Sequence, residues 1–343
     1  MRVACCWNYT RLAVTRGKIY GPKGKPIGGN GLFARLIIPV LLLSWPAMGA
    51  ADSRPECTTD STPAMIISSA PCGTYGIVTT RKKEVEGIEV DVRVQYMVHA
   101  PQDQSPTAFV VLFTGGNGNT GITGDPTTGE VTAAGTNFLV RSAQLFAERK
   151  FKTVTIDRPL LALPDPPPVL VPEFSTNAEF DRYRVSPKHK HDIMKVLAKV
   201  NEKGLHAFLV GTSRGTISAF AQDKLAEGIV LSSPVTTPSG ANLFIRHPDY
   251  RNLEVDSVKV PVHVLVHSGD ICSVTLPQNA DDLHEALLNA GVTSSFTSLA
   301  GGFNDPTADA CDSLTHHGFL GIENAAVGDI ADWIEEMLAT LKH

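Results

Sequence analysis

A serine between two glycines is the first candidate for chemistry in this sequence. Ser213 lies in the pentapeptide GTSRG, residues 211–215, directly after the apolar run HAFLV and before a segment with helical spacing. A strand, a sharp turn and a helix in this order expose the serine hydroxyl at the helix N-terminus, because the glycines let the chain fold tightly. The alternative is a serine that caps the helix, and the preceding strand favours the nucleophile.

Such a nucleophile needs an imidazole to take its proton and an acid to hold that imidazole in place. Asp270 ends the apolar run PVHVLVHSGD, so its carboxylate is expected at the carboxyl edge of a sheet, where ligands meet open α/β folds. The alternative is an aspartate that forms a turn after Gly269. Three competing acids lie in a loop nearer the candidate histidines, with no strand to aim them: Asp305, Asp309 and Asp312.

The candidate histidines are adjacent, in the segment LTHHGFLGIE just before the last predicted helix. We favour His317 over His316 as the base, since Gly318 follows it and leaves space for the imidazole to turn towards the serine. His263 and His267 alternate within an apolar strand, which is more typical of packed or hydrogen-bonded core histidines.

Acyl transfer also requires N–H donors aimed at the developing oxyanion. The turn TGGNGN, residues 114–119, follows the apolar strand AFVVLF and can direct backbone N–H groups into a site. Gly116 and Asn117 are the candidates from this turn, and the backbone N–H of Arg214 is the third.

The same turn supports a competing hypothesis, a dinucleotide-binding protein. The glycines Gly116, Gly118 and Gly121 match GxGxxG behind a strand. The residues that follow, TGDPTTGE with Pro126, do not open a helix at the place where a pyrophosphate needs one. No acid ends a strand about 20 residues further on, as ribose binding requires. We therefore predict no cofactor.

Alternating strands and helices must position these residues. Short apolar runs, typical of strands buried on both faces, alternate with segments of helical spacing, which predicts an α/β fold with a mostly parallel sheet. Strands are predicted at 86–98 (an exposed antiparallel edge strand), 109–113, 154–156, 207–210, 228–231, 262–267 and 294–299, and helices at 137–150, 187–203, 216–224, 281–290 and 324–341.

Two connecting segments lack this periodicity. Residues 158–174 are rich in proline and are predicted to form a surface loop. Residues 233–252 are placed where many enzymes of this architecture insert a lid, but they are too few for a separate cap domain. Within these segments, 160–172 and 244–251 are expected to shape the pocket for the acyl or alcohol group.

The N-terminal region predicts export. Residues 1–35 hold seven Lys and Arg residues and no acid, and they lead into the apolar run LIIPVLLLS and a small-residue cleavage region near 49–51. The apolar run is short for a membrane span, so no stable anchor is expected after cleavage. The rest of the chain holds 23 basic and 35 acidic residues, which disfavours a nucleic-acid partner. A periplasmic or secreted protein is predicted.

Four cysteines follow this leader: Cys57, Cys72, Cys272 and Cys311. An even number in an exported chain predicts two disulfides, and local pairing, 57 with 72 and 272 with 311, is preferred among three connectivities. Zinc is disfavoured because no two of them have the close spacing of a metal knuckle. We expect a leader at 1–50, an N-terminal segment with a disulfide at 51–84, and a catalytic domain at 85–343.

Together, the motifs FTGGNG, GTSRG, HSGD and HHGFLGIE resemble the α/β-hydrolase superfamily from about residue 85 onward. The chain is similar to exported bacterial members in which one cysteine follows the acid and another precedes the histidine. The resemblance implies a twisted, mostly parallel sheet of about eight strands and hydrolysis through an acyl-enzyme. Ser213 would attack the carbonyl, His317 would relay the proton and Asp270 would orient His317.

The resemblance also bears on substrate and on rival functions. Thr114 replaces the histidine of the HGGG turn found in many lipases, which argues against a lipase more than against the mechanism. Ester cleavage is expected rather than peptide cleavage because nothing in the sequence indicates a propeller or a large cap, so the expected substrate is a small-molecule ester. The segment 181–193, DRYRVSPKHKHDI, is also similar to these members, and its His189 and Asp192 are interpreted as helix-start residues. A disulfide between Cys272 and Cys311 would tie the acid loop to the base loop. The main alternative is a catalytically silent binding protein with the same fold.

Overall fold

The computed structural model describes residues 73–102, 104–200, 204–236 and 255–341. Four predictions therefore lie wholly or mostly outside the described residues: the leader, the Cys57–Cys72 disulfide, the segment 233–252 at the position of a lid, and the contribution of 244–251 to the pocket.

The strands of the described chain form one large mixed sheet and a small hairpin. In the large sheet the order is β1-β2-β6-β3-β8-β9-β10-β11, with β7 paired to β6 outside this path. Pairing is parallel from β6 to β11 and antiparallel at β1, β2 and β7, while β4 and β5 form the hairpin. The strands are β1 Thr74–Val85, β2 Ile88–His99, β3 Ala108–Phe113, β4 Ile122–Gly124, β5 Val131–Ala133, β6 Phe151–Leu163, β7 Val169–Pro172, β8 Ala207–Thr212, β9 Gly228–Ser232, β10 Val262–His267 and β11 Ser294–Leu299.

Helices cover both faces of this sheet. One face packs against α4, α5 and α6, and the other against α1, α2 and α7. Among the described residues, no helix is long and apolar enough to cross a membrane. The helices are α1 Phe138–Arg141, α2 Ala143–Glu148, α3 Asn177–Arg184, α4 Pro187–Val200, α5 Gly215–Ala221, α6 Pro277–Asn289 and α7 Glu323–Leu341.

The central strands are apolar throughout because both faces are buried. In β3, Phe109, Val111 and Phe113 enter one core, and the residues between them enter the other. This is the alternation expected of a strand covered on both sides. The predicted fold class, a mostly parallel sheet of about eight strands flanked by helices, is confirmed.

Three predicted elements need correction. The strand predicted at 86–98 is not an edge, because β1 pairs along its whole length. The segment 158–174 is not a loop: β6 continues to Leu163 and β7 returns beside it, and Pro159 is tolerated where the β2–β6 register shifts. The helix predicted at 137–150 is split at Ser142 into α1 and α2, and α3 was not predicted at all.

Candidate active site

Ser213 occupies a tight turn between β8 and α5. Its φ angle is +50°, in the left-handed region that non-glycine residues rarely adopt and that costs about 1–3 kcal/mol. Its N–H donates to the Ser232 carbonyl at 2.9 Å. A Cβ on Gly211 would lie 2.3 Å from the Gly215 carbonyl oxygen, and one on Gly215 would lie 2.0 Å from that of Phe113. Close backbone approach therefore requires both glycines of the motif.

A histidine and an aspartate form a buried pair beyond the end of β10. His317 Nδ1 lies 3.0 Å from Asp270 Oδ2, and the two residues are 5% and 4% exposed. Asp270 Oδ1 accepts the Cys272 N–H at 2.9 Å. With its Nδ1–H held by the carboxylate, the imidazole keeps the lone pair of Nε2 free to accept a proton.

Thr275 completes this pair, and the sequence analysis missed it. Its hydroxyl donates to Asp270 Oδ2 at 2.9 Å and lies 3.0 Å from His317 Nδ1. The side chain is fully buried. The three groups thus share one buried hydrogen-bond cluster that fixes both the tautomer and the ring orientation of His317.

The two adjacent histidines have different environments. The His317 N–H donates to Thr315 Oγ1 at 3.2 Å, and the His317 carbonyl accepts a hydrogen bond from the Ser233 hydroxyl at 3.0 Å. His316 instead stacks on His267 with ring centroids 4.3 Å apart, and its N–H donates to Asn304 Oδ1. The structure therefore brings His317, and not His316, to Asp270.

Gly318 has a different role from the predicted one. A Cβ at this position would lie 1.9 Å from the Ser313 carbonyl oxygen. The glycine is thus required by the backbone of the preceding loop rather than to free space for the imidazole.

Ser213 and His317 line one cavity of about 420 Å³. Gly116 and Asn117, two of the three candidate oxyanion donors, line it as well. The third, Arg214, is the N-cap residue of α5 and directly follows Ser213. A Cβ on Gly115 would lie 2.9 Å from the Ser213 Cβ, so the turn and the elbow are in close contact.

The rest of the cavity wall differs from the expectation. Its described lining residues do not include 160–172; they come from 134–138 and 311–313. Asp312, one of the three competing acids, lies in this wall, while Asp305 accepts hydrogen bonds from Thr307. His189 and Asp192 lie in the first turns of α4, and Asp192 accepts the Tyr183 hydroxyl at 2.8 Å.

The two histidines of β10 are hydrogen-bonded core residues, as predicted. His263 bridges Ser295 at 2.9 Å and Asp329 at 2.6 Å. His267 Nε2 donates to the Gly301 carbonyl at 2.8 Å.

A disulfide joins the loop that carries Asp270 to the loop that precedes His317. Cys272 and Cys311 are bonded across 39 residues, in the predicted pairing. Cys272 is buried two residues after Asp270, while Cys311 lines the cavity. The ligand atoms of Asp270, Cys272 and His317 lie within 4.8 Å of one another, but the sulfur is consumed by the disulfide and cannot act as a thiolate ligand.

No protein-family model matches the chain, and no curated protein sequence matches it. Among solved structures, it is similar to an acylaminoacyl peptidase of Pyrococcus horikoshii, with 13% identity and a TM-score of 0.47 over 76% of this chain and 42% of the peptidase. The chain thus spans about two fifths of the length of that protein.

Two esterases are matched over nearly their whole length. A thermostable carboxyl esterase of Bacillus coagulans shows 10% identity and a TM-score of 0.47 over 77% of this chain and 99% of the esterase. A cold-adapted esterase from an Arctic intertidal metagenomic library shows 16% identity and a TM-score of 0.45 over 76% of this chain and 94% of the esterase. The sheet order of the present chain, with a serine at the β8–α5 turn, is that of the α/β-hydrolase fold.

Proposed function

We propose that this protein is a serine hydrolase that cleaves small carboxylic esters through an acyl-enzyme. The observation that carries the proposal is that His317, hydrogen-bonded to Asp270, lines the same cavity as Ser213, which occupies a left-handed turn. A residue that only capped α5 would need neither the strained backbone nor a histidine across the cavity.

In the proposed reaction, Ser213 Oγ attacks the ester carbonyl carbon while His317 Nε2 takes the hydroxyl proton. The Nδ1–H bond to Asp270 stabilises the imidazolium that forms. The oxyanion accepts hydrogen bonds from backbone N–H groups of residues 114–118 in the TGGNGN segment (the 114–118 turn) and from the backbone N–H of Arg214. Collapse of the tetrahedral intermediate breaks the ester C–O bond, and His317 returns its proton to the leaving alcohol. A water molecule then hydrolyses the acyl-serine by the same steps.

The cavity volume argues for a small-molecule substrate. About 420 Å³ lies within the range of pockets that enclose small ligands. Polar side chains contribute much of the described wall, among them Asn117, Asn119, Thr136 and Asp312. These features favour a short or polar ester over a long alkyl chain.

The test is a panel of p-nitrophenyl esters of increasing acyl length, assayed with the wild-type protein and with Ser213→Ala. Ser298→Ala, an exposed serine on β11, is the matched control. We expect turnover of the short esters, a loss of kcat/KM of about 10⁴-fold or more in Ser213→Ala, and no change in the control. Binding of esters without turnover by the wild type would favour a silent binding protein instead.

We further propose that the protein is exported. The leader composition and the disulfide between Cys272 and Cys311 both support an oxidising compartment. N-terminal sequencing of protein recovered outside the cytoplasm should show a mature chain that begins near residues 49–51. A cytoplasmic protein that retains Met1 would contradict export.

A further inference from the structure

A buried arginine lies behind the turn that carries the candidate oxyanion donors. Arg184, the last residue of α3, is 2% exposed. Its Nη2 donates to the Thr114 carbonyl at 2.8 Å and to the Gly116 carbonyl at 3.3 Å, and its Nη1 donates to Ser218 Oγ on α5 at 2.7 Å. One guanidinium thus joins the 114–118 turn to the helix that follows the nucleophile.

Helix α3 also contacts the residue that directly follows Ser213. Asp181, on α3, accepts a hydrogen bond from the Arg214 guanidinium, and its other oxygen lies 3.7 Å from Arg184 Nε. Asp181 therefore lies between two arginines. Arg184 binds the 114–118 turn, and Arg214 directly follows Ser213. Phe180 supports this arrangement because its ring lies 4.4 Å from the Arg184 guanidinium.

Burying these charges opposes folding. Burial lowers the pKa of Arg184 to about 10 although Asp181 acts to raise it, and burial raises the pKa of Asp181 against the effect of both arginines. Within the part of the chain that the structure describes, neither Arg184 Nε nor Asp181 Oδ1 has a hydrogen-bond partner. Because apolar residues at such positions are often at least as stabilising, the cluster calls for a reason other than stability.

The peptide geometry supplies that reason. In a trans peptide the carbonyl of one residue and the N–H of the next point in opposite directions. Gly116 O points to Arg184, so the Asn117 N–H points away from the arginine. The Thr114 carbonyl oxygen also points to Arg184, so the Gly115 N–H points away from the arginine as well. Gly115 and Asn117 both line the cavity.

We propose that Arg184 and Asp181 are positioning residues of the oxyanion hole. Arg184 holds the carbonyls of the 114–118 turn so that the Asn117 N–H faces the reacting oxygen, and Asp181 holds Arg214 in register with that turn. This inference rests on the proposed hydrolase function. It selects Asn117 over Gly116 as the donor, because the Gly116 N–H shares its peptide with the Gly115 carbonyl, which accepts the Gly118 N–H at 3.0 Å.

The test separates transition-state stabilisation from folding. The variants are Arg184→Met, Arg184→Lys and Asp181→Asn, with Arg149→Met as control, since Arg149 pairs with acids of α7 on the far surface. The readouts are kcat and KM for a p-nitrophenyl ester and the affinity for a trifluoromethyl ketone that forms a hemiketal with Ser213. Rates are expressed per serine labelled by a fluorophosphonate, so that misfolded protein does not count.

Loss of one oxyanion donor costs about 10²–10³ in kcat. We expect a loss of this order in Arg184→Met, with KM within about threefold of wild type and ketone affinity falling in parallel with kcat. Arg184→Lys should recover part of the loss, since an ammonium can still reach one carbonyl. Asp181→Asn, which keeps the shape and removes the charge, should lower kcat by a smaller factor.

Wild-type kcat per labelled serine in both Arg184→Met and Asp181→Asn would overturn the proposal, as would a loss confined to KM. If Arg184→Met does not fold, Asp181→Asn alone decides between these outcomes. A wild-type protein that neither turns over esters nor takes the label would instead refute the hydrolase function, so the two failures are distinguishable.

Discussion

The Thr275 hydroxyl is the clearest example of a residue that acts through its neighbours. It contacts both Asp270 Oδ2 and His317 Nδ1 at about hydrogen-bond distance and is completely buried. A buried hydroxyl between an acid and a base restricts the orientation of both. In the proposed reaction it would hold His317 in the plane in which Nε2 meets the serine proton.

Replacing this hydroxyl by a methyl group should therefore impair catalysis more than folding. We expect Thr275→Val to lower kcat/KM about tenfold, the equivalent of one hydrogen bond of about 1.4 kcal/mol. Thr275→Ser should retain most of the activity because it keeps the hydroxyl. Thr293→Val, an exposed threonine, is the matched control. Unchanged kcat/KM in Thr275→Val would contradict the role given to this hydroxyl.

The sequence reveals some of these residues and hides others for a physical reason. Ser213, Asp270 and His317 each follow a strand or precede a helix in a short recognisable motif, so their types and context suffice to propose them. Thr275 reaches His317 across 42 residues of chain and Arg184 reaches Thr114 across 70, and no local pattern marks contacts between residues so far apart in sequence.

The Cys272–Cys311 disulfide links the loop that carries Asp270 to the loop that precedes His317. Opening it would free the backbone of Cys272, whose N–H fixes Asp270 Oδ1. It would also release the loop that ends in the cavity wall at Cys311.

The double variant Cys272→Ser/Cys311→Ser should lose stability and activity together. For a closed loop of this length, the chain-entropy estimate is a loss of about 4 kcal/mol in the free energy of unfolding. We expect a lower melting temperature, measured by calorimetry, and a reduced kcat/KM on the same samples. If neither quantity changes, the disulfide does not hold the acid–base pair in register.

The parallel strands β3, β8, β9, β10 and β11 and the helices α4, α5, α6 and α7 follow from hydrophobic periodicity, and their predicted positions agree with the structure to within a few residues. The positions of the peripheral strands β1 and β7 and of the second half of β6 do not follow from hydrophobic periodicity. The second half of β1 is charged, with the run RKKE, because that part of the strand is only half covered. The prolines of 158–174 indicated a loop, yet β6 and β7 pair through their apolar residues and place prolines at the turn and the register shift. Tertiary pairing overrides local preference at such edges.

The stability of the whole molecule should depend on pH through a carboxyl next to the oxyanion turn. Asp157 Oδ1 accepts the N–H groups of Thr120 and Arg158 at 3.1 and 2.8 Å. Burial nevertheless raises the pKa of this carboxyl from 3.8 to about 6. The folded state thus binds the proton more tightly than the unfolded state. The stabilisation from protonation is complete below about pH 4 and is lost as the pH rises through 6.

Asp157→Asn removes this titration while its amide oxygen can still accept both N–H groups. We expect the difference in unfolding free energy, variant minus wild type, to increase by up to about 3 kcal/mol between pH 4 and pH 7. Asp165→Asn, which changes an exposed carboxylate of the β6–β7 turn, is the control. A difference that is equal at both pH values, measured by urea unfolding, would contradict the buried, proton-binding state of Asp157.

The proposed hydrolase function requires that His317 activate Ser213 across the cavity that both residues line. The most direct measurement is reaction of the folded protein with a fluorophosphonate, with the adduct located by peptide mass spectrometry. We predict an adduct on Ser213 that is absent in Ser213→Ala, forms at least 100-fold more slowly in His317→Gln, and forms at the wild-type rate in His316→Gln. Folded wild-type protein without an adduct on Ser213, or His317→Gln labelled as fast as wild type, would contradict it.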